Sequence, residues 1–171
     1  MNLVINKEIL PSLAVLLIDM QDYFINSREE RQALIPKQVG VIKFCQKNDV
    51  PIVVIEYSNF GQTTKRLVDA TKRLSPENVY RVIKSSEDAF AETGLQDLLQ
   101  GRGVKYLLVM GVSTCACVYQ TAFHAFQAGF KIITSRDLIE GYREQYKQRI
   151  LWYGENGPCY DNYKQLLEDL S

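Results

Sequence analysis

Five short runs of the chain are rich in valine, isoleucine and leucine: "LAVLLID" (Leu13 to Asp19), "PIVVIEY" (Pro51 to Tyr57), "VYRVIK" (Val79 to Lys84), "VKYLLVMG" (Val104 to Gly111) and "FKIITS" (Phe130 to Ser135). Three of them carry an apolar residue at nearly every position, as a parallel strand covered on both faces requires. Between them "IPKQVGVIKFCQKND", "TTKRLVDATKRL", "TGLQDLLQG" and the segment after Thr114 repeat apolar residues at three and four, the period of a helix with one buried face. "EGYREQYKQRILWY" reads as a further helix, and "GENGPCYDNYKQLLEDLS" as a turn followed by a short one. Strands alternating with helices predict an α/β fold: a three-layer α/β/α, Rossmann-like arrangement on an open parallel sheet of five or six strands. With 171 residues, 46% of them hydrophobic, the chain can bury a proper core, and a single domain over 1–171 is expected.

Charge narrows the partners. Twenty basic and twenty acidic residues cancel, so nothing in the balance favours nucleic acid or an anionic membrane, and a small-molecule ligand fits better. The apolar run near the N-terminus is broken by charges and by Pro11 and is followed by no small-residue cleavage pattern. Neither a signal peptide nor a membrane span is expected, and the protein is read as cytoplasmic. The four cysteines, Cys45, Cys115, Cys117 and Cys159, show no disulfide-framework spacing and would remain thiols in a reducing compartment.

In an open parallel sheet, ligands bind beyond the carboxyl ends of the strands, so the strand-ending residues carry the candidate chemistry. The first strand ends in Asp19 and the third in Lys84, while the fourth runs into "GVSTCACVYQTAFHAFQAGF". Thr114 is a suitable N-cap, which would make Cys115 the first helical residue and Cys117 the third. Either thiol would then have its pKa drawn down by the helix N-terminus. The small residues Val118, Thr121, Ala122 and Ala125 form a stripe suited to lying against the sheet and would turn Cys117 toward the strand ends. Cys115 lies about 200 degrees away around the helix. The only histidine, His124, is seven residues beyond Cys117, about 10 Å along the axis, too far to take the thiol proton by contact. Asp19 is placed to be the base instead, and Lys84, if enclosed, to hold a thiolate by charge. The same residues are also compatible with small apolar packing at the cysteines, a capping carboxylate at Asp19 and a solvated ammonium at Lys84. The C-x-C pair lacks the companion ligands of a zinc site.

"LLIDMQDYF", "IKSSEDAFAETGLQDLL" and "GVSTCACVYQTAFHAFQAGF" together resemble, in order and spacing, three signature blocks of the isochorismatase-like cysteine hydrolases, a group that includes nicotinamidases and N-carbamoylsarcosine amidohydrolases. The resemblance implies the isochorismatase-like hydrolase fold with a catalytic Asp19, Lys84 and Cys117, and it places Cys115 at a variable position. It also implies a cis peptide between Val112 and Ser113 and an oxyanion hole from the backbone N–H groups of Ser113 and Cys117. The implied reaction is hydrolysis of a small amide-type C–N bond through a Cys117 thioester, with no cofactor. A homo-oligomer is implied as well, along with a sixth strand for which the sequence offers no obvious candidate. Metal-binding nicotinamidases carry an aspartate and two histidines after the second strand, whereas "IEYSNFGQTTKR" has no histidine, so no metal is expected. Phe24, Glu56, Tyr57, Phe60, Phe90 and Tyr119 are candidate substrate-binding residues, with Glu56 either meeting a substrate amine or pairing with Lys65 or Arg66. Two other readings stay open: an isochorismatase-type vinyl-ether hydrolase, against which the cysteine argues, and a non-catalytic binding or assembly module.

Overall fold

The computed structural model describes residues 5–26, 28–140 and 143–171. All five expected strands form: β1 (Leu13–Ile18), β2 (Ile52–Tyr57), β3 (Val79–Lys84), β4 (Tyr106–Val112) and β5 (Lys131–Ser135). Two further strands, β6 (Ile139–Glu140) and β7 (Cys159–Tyr160), have two residues each and bring the sheet to seven. Its order is β3-β2-β1-β4-β5-β7, with β6 against β4, and every pairing is parallel. The strand β7 falls in the stretch read as a turn. Two residues carry no periodicity, and what makes them a strand is the ladder to Thr134 and Ser135.

The helices are α1 (Asp22–Ile25), α2 (Glu29–Gln32), α3 (Leu34–Asn48), α4 (Lys65–Thr71), α5 (Leu95–Gly101), α6 (Cys117–Gln127), α7 (Arg143–Asn156) and α8 (Tyr163–Asp169). Of the helix expected over "EGYREQYKQRILWY", Gly141 and Tyr142 lie outside the described residues, as do Met1 to Val4 of the N-terminal run. Because successive strand residues face opposite ways, β1 feeds two cores. Leu13, Val15 and Leu17 pack with Val41, Ile42, Leu67 and Leu166 of α3, α4 and α8. Ala14, Leu16 and Ile18 pack with Leu95, Leu99, Val118, Ala122 and Ile150 of α5, α6 and α7. Every residue of β1 is buried, which is why its pattern shows no alternation. No helix among the described residues is long and apolar enough to cross a membrane.

Strand order reverses between β1 and β4, where Gly111 lies in register with Ile18. Gly111 has φ +137, and a Cβ on it would stand 2.0 Å from the carbonyl oxygen of Ile18. Only glycine allows this approach, and it draws the ends of β1 and β4 together where the chemistry-bearing residues emerge.

Candidate active site

Asp19 follows β1 with φ +52, the left-handed region, which aspartate tolerates better than most side chains. Its N–H still donates to the Ile55 carbonyl of β2, so the backbone stays in the sheet while the turn re-aims the carboxylate. Asp19 and Lys84 are both buried, and Lys84 Nζ lies 2.9 Å from Asp19 Oδ2. At this distance the two form a buried ion pair. The ammonium also donates to the Ser86 carbonyl at 2.9 Å and sits 4.1 Å from the centre of the Tyr57 ring. Three partners of complementary charge or π density make burial of a lysine tolerable.

The nucleophile candidate stands on the other wall. Cys117 opens α6 and reaches both Asp19 and Lys84 with its thiol. The peptide between Val112 and Ser113 is cis, and the turn from Thr114 to Ala116 leads into the helix. This corrects the expected start of the helix: Ala116, not Thr114, is the N-cap position. Thr114 donates its N–H to the Glu140 carbonyl of β6 at 2.6 Å, which ties this turn residue to the sheet edge. Cys115 is accordingly a turn residue, its N–H bonded to Ser113 Oγ. Among the described residues, no acceptor takes the N–H of Ser113 or of Cys117, while the Ser113 carbonyl accepts from Ala116 and Val118.

The electrostatics also differ from expectation. The thiol of Cys117 is not drawn down by the helix. Burial, the Asp19 charge and the hydrogen bond to Asp19 push it up to about 12 against the opposing pull of Lys84. Asp19 is raised from the ordinary carboxylate value by burial, with Lys84 and Cys117 opposing. The thiol therefore keeps its proton near neutral pH.

The loop from Lys84 to α5 is fastened to α6. Thr121 Oγ1 accepts from the Ala89 N–H at 3.0 Å, and Asp88 Oδ2 meets His124 Nδ1 at 2.6 Å. His124 stacks on Phe90 with centroids 4.9 Å apart. The histidine is thus a loop anchor on the helix surface, away from the thiol. Thr121, which the small-residue stripe marked only as packing, holds by its hydroxyl the loop that carries the Ser86 carbonyl to Lys84.

The candidate substrate-binding residues divide. Phe24, Phe60 and Tyr57 form one aromatic wall, with centroids 5.0 and 5.4 Å apart, continuous with Lys84 through Tyr57. Tyr23 extends it, 4.7 Å from Phe60 and 68% exposed. Phe90 is not part of this wall and is buried against His124 and Phe130. Tyr119, about 200 degrees around α6 from Cys117, stacks with Phe123, Trp152 and Arg149 toward α7. Glu56 pairs with neither Lys65 nor Arg66. It is buried, accepts from the Thr63 N–H at 2.6 Å and meets Arg81 at 2.8 Å, while Lys65 pairs with Asp69. Arg81 wins because it lies on the neighbouring strand, where the parallel register aligns it with Val54 on the same face.

Gln21 escaped the sequence reading. It is fully buried, donates to the Tyr57 and Gly61 carbonyls at 2.9 and 2.7 Å and accepts from the Tyr57 N–H, thereby clamping the strand end and loop that present Tyr57 and Phe60. Its place two residues after Asp19 was the available signal. The concavity between Leu10, Pro11, Asp49, Pro51 and Arg102 lies at the opposite ends of the strands and holds none of these residues.

The residues present do not fit the metal of metal-binding relatives. Glu56 is occupied by Arg81 and Thr63, His124 is held by Asp88 on another element, and among the described residues no three histidine, cysteine or acidic side chains are grouped to hold an ion.

Residues 13–156 match the family model of the Isochorismatase domain. Nicotinamidase 3 of Arabidopsis thaliana is 25% identical over 157 residues, spanning 81% of this chain and 78% of that protein. A protein named probable inactive nicotinamidase, from the same plant, is 26% identical over 150 residues, spanning 71% of this chain and 76% of the relative. Among solved structures, the nicotinamidase SaPncA of Staphylococcus aureus superposes with a TM-score of 0.81 at 21% identity, covering 88% of this chain and 99% of that one.

Proposed function

Because this chain belongs to the isochorismatase family of hydrolases, we propose that it is a metal-independent cysteine amidohydrolase acting on a small amide-type C–N bond with Asp19, Lys84 and Cys117. The observation that carries this reading is the buried Asp19–Lys84 pair with the Cys117 thiol in reach of both. A relative of similar identity bears the name of an inactive enzyme, so family membership alone does not carry activity, and the argument rests on these three side chains.

A thiol raised to about 12 is scarcely ionised near neutral pH, so its proton must move to Asp19 as sulfur attacks the carbonyl carbon. Asp19, itself raised by burial, is a better proton acceptor than an ordinary carboxylate. Lys84 offsets negative charge as it forms on sulfur. The N–H groups of Ser113 and Cys117, which meet no acceptor among the described residues, suit the oxyanion of the tetrahedral intermediate, where such donors typically contribute about 3 kcal/mol each. Asp19 then gives its proton to the leaving amine. Water, deprotonated by the same carboxylate, adds to the thioester and releases the acid and the thiol. Tyr57, Phe60 and Phe24 offer an apolar wall for the acyl group.

The test is ammonia release from a panel of small primary amides, with intact-protein mass spectrometry for an acyl adduct on Cys117. Turnover that survives Cys117→Ala, or that is unchanged in Lys84→Ala, would sink the mechanism.

A further inference from the structure

The Glu56–Arg81 pair lies behind the base. Ile52 and Val54 face the core under α3 and α4, so the alternation of β2 puts Glu56 on that face, while Ile55 and Tyr57 face α6. On β3, Val79 packs on the first face and Tyr80 and Val82 on the second, so Arg81 shares a face with Glu56, and Lys84 with Tyr57. Asp19 sits at the edge between the two. Its left-handed backbone and its bond to the Ile55 carbonyl, with Ile18 registered on Ile55, make it the cross-ladder neighbour of Glu56.

We infer that Glu56, partly offset by Arg81, adds to the proton affinity of Asp19 from the opposite face of the sheet, so that the two are positioning residues acting through the base. This rests on the reading of Asp19 as the base. Glu56 is 3% exposed, and the Thr63 N–H and the Arg81 guanidinium both hold its Oε1. A buried fixed charge one strand away from a carboxylate makes that carboxylate harder to ionise. The charged and titratable groups acting on Asp19 are Lys84 from β3, Cys117 from α6 and Glu56 from β2, and of these Glu56 and Cys117 are anionic or neutral and Lys84 cationic. Burial alone would raise Glu56, but the Thr63 N–H and Arg81 hold it below its ordinary value. These two partners therefore favour its charged form. Arg81, with a half-exposed side chain, screens that charge incompletely.

The experiment is an NMR titration of protein carrying 13C at the aspartate carboxyl carbon, with the Asp19 signal identified by its loss in Asp19→Asn. Glu56→Gln keeps the volume and an oxygen for the Thr63 N–H while removing the charge, and it should lower the Asp19 midpoint by about half a pH unit or more. Arg81→Gln, a change at a half-exposed side chain, leaves Glu56 less compensated and should raise the midpoint. A merely structural pair would not move the two variants in opposite directions, and any pattern other than a fall in the first and a rise in the second overturns the inference. The readout needs no turnover, so it is separate from the amide assay on which the proposed function stands.

Discussion

Lys84 Nζ and Asp19 Oδ2 lie 2.9 Å apart with both side chains essentially inaccessible to water, although they come from strands separated by β2. Removing one partner of a buried pair leaves the other charge stranded, a larger effect than the pair's own net contribution.

Lys84→Met should accordingly destabilise the fold by about 3–5 kcal/mol near pH 8. Adding Asp19→Asn should restore most of it, since the stranded charge is then gone. Urea unfolding of the wild type, the two single variants and the double variant closes the cycle. A double variant no more stable than Lys84→Met would show that lost packing, not the uncompensated carboxylate, sets the cost.

Reactivity of the thiol should respond to Asp19 in a sense opposite to turnover. The Asp19 charge and hydrogen bond raise Cys117 above what burial alone does, so Asp19→Asn should lower the thiol pKa. Alkylation by iodoacetamide near pH 8 should then rise about tenfold for each unit of the fall, while amide hydrolysis is lost. Lys84→Met should slow alkylation. Peptide mass spectrometry, with Cys115 and Cys159 as internal references, reads both, and an Asp19→Asn protein alkylated no faster than wild type contradicts the stated electrostatics.

Acid stability carries the mark of Glu56. Its folded pKa lies below the ordinary 4.5 because the Thr63 N–H and Arg81 outweigh burial. A depressed carboxylate contributes stability that is fully present above its unfolded value and lost as pH falls through the folded one. Glu56→Gln should therefore flatten the decline in unfolding free energy below about pH 4.5. Urea titrations from pH 3 to 6 will show either that flattening or an unchanged slope, and the latter would assign the acid limb to other groups.

The close approach of β1 and β4 makes a sharper contrast between two glycines. Gly111→Ala would drive a methyl group to within 2.0 Å of the Ile18 carbonyl oxygen and should cost more than about 4 kcal/mol or abolish folding. Gly61→Ala, at φ +82 with nothing within 4 Å, should cost about 1 kcal/mol. Circular dichroism and thermal melts of the two variants compare them directly. Equal effects would mean that the approach can relax.

Local pattern determined the five main strands, because β1, β2 and β4 are covered on both faces and are apolar at nearly every position. It also determined Asp19 and Lys84 as strand-ending residues, and the block around Cys117 supplied the thiol. Other features depend on partners distant in the chain. The Thr114 N–H bonds the Glu140 carbonyl of β6, and the helix begins three residues later at Cys117. Arg81 reached Glu56 through the β2–β3 register, and Tyr119 was turned toward Trp152. Two-residue β7 exists only through its ladder to β5. The protonation of the thiol belongs to the same class. A helix start argued from sequence lowers a pKa, but burial and an adjacent carboxylate raise it further than the helix can offset, and both of those come into being only when the ends of β1, β3 and β4 meet.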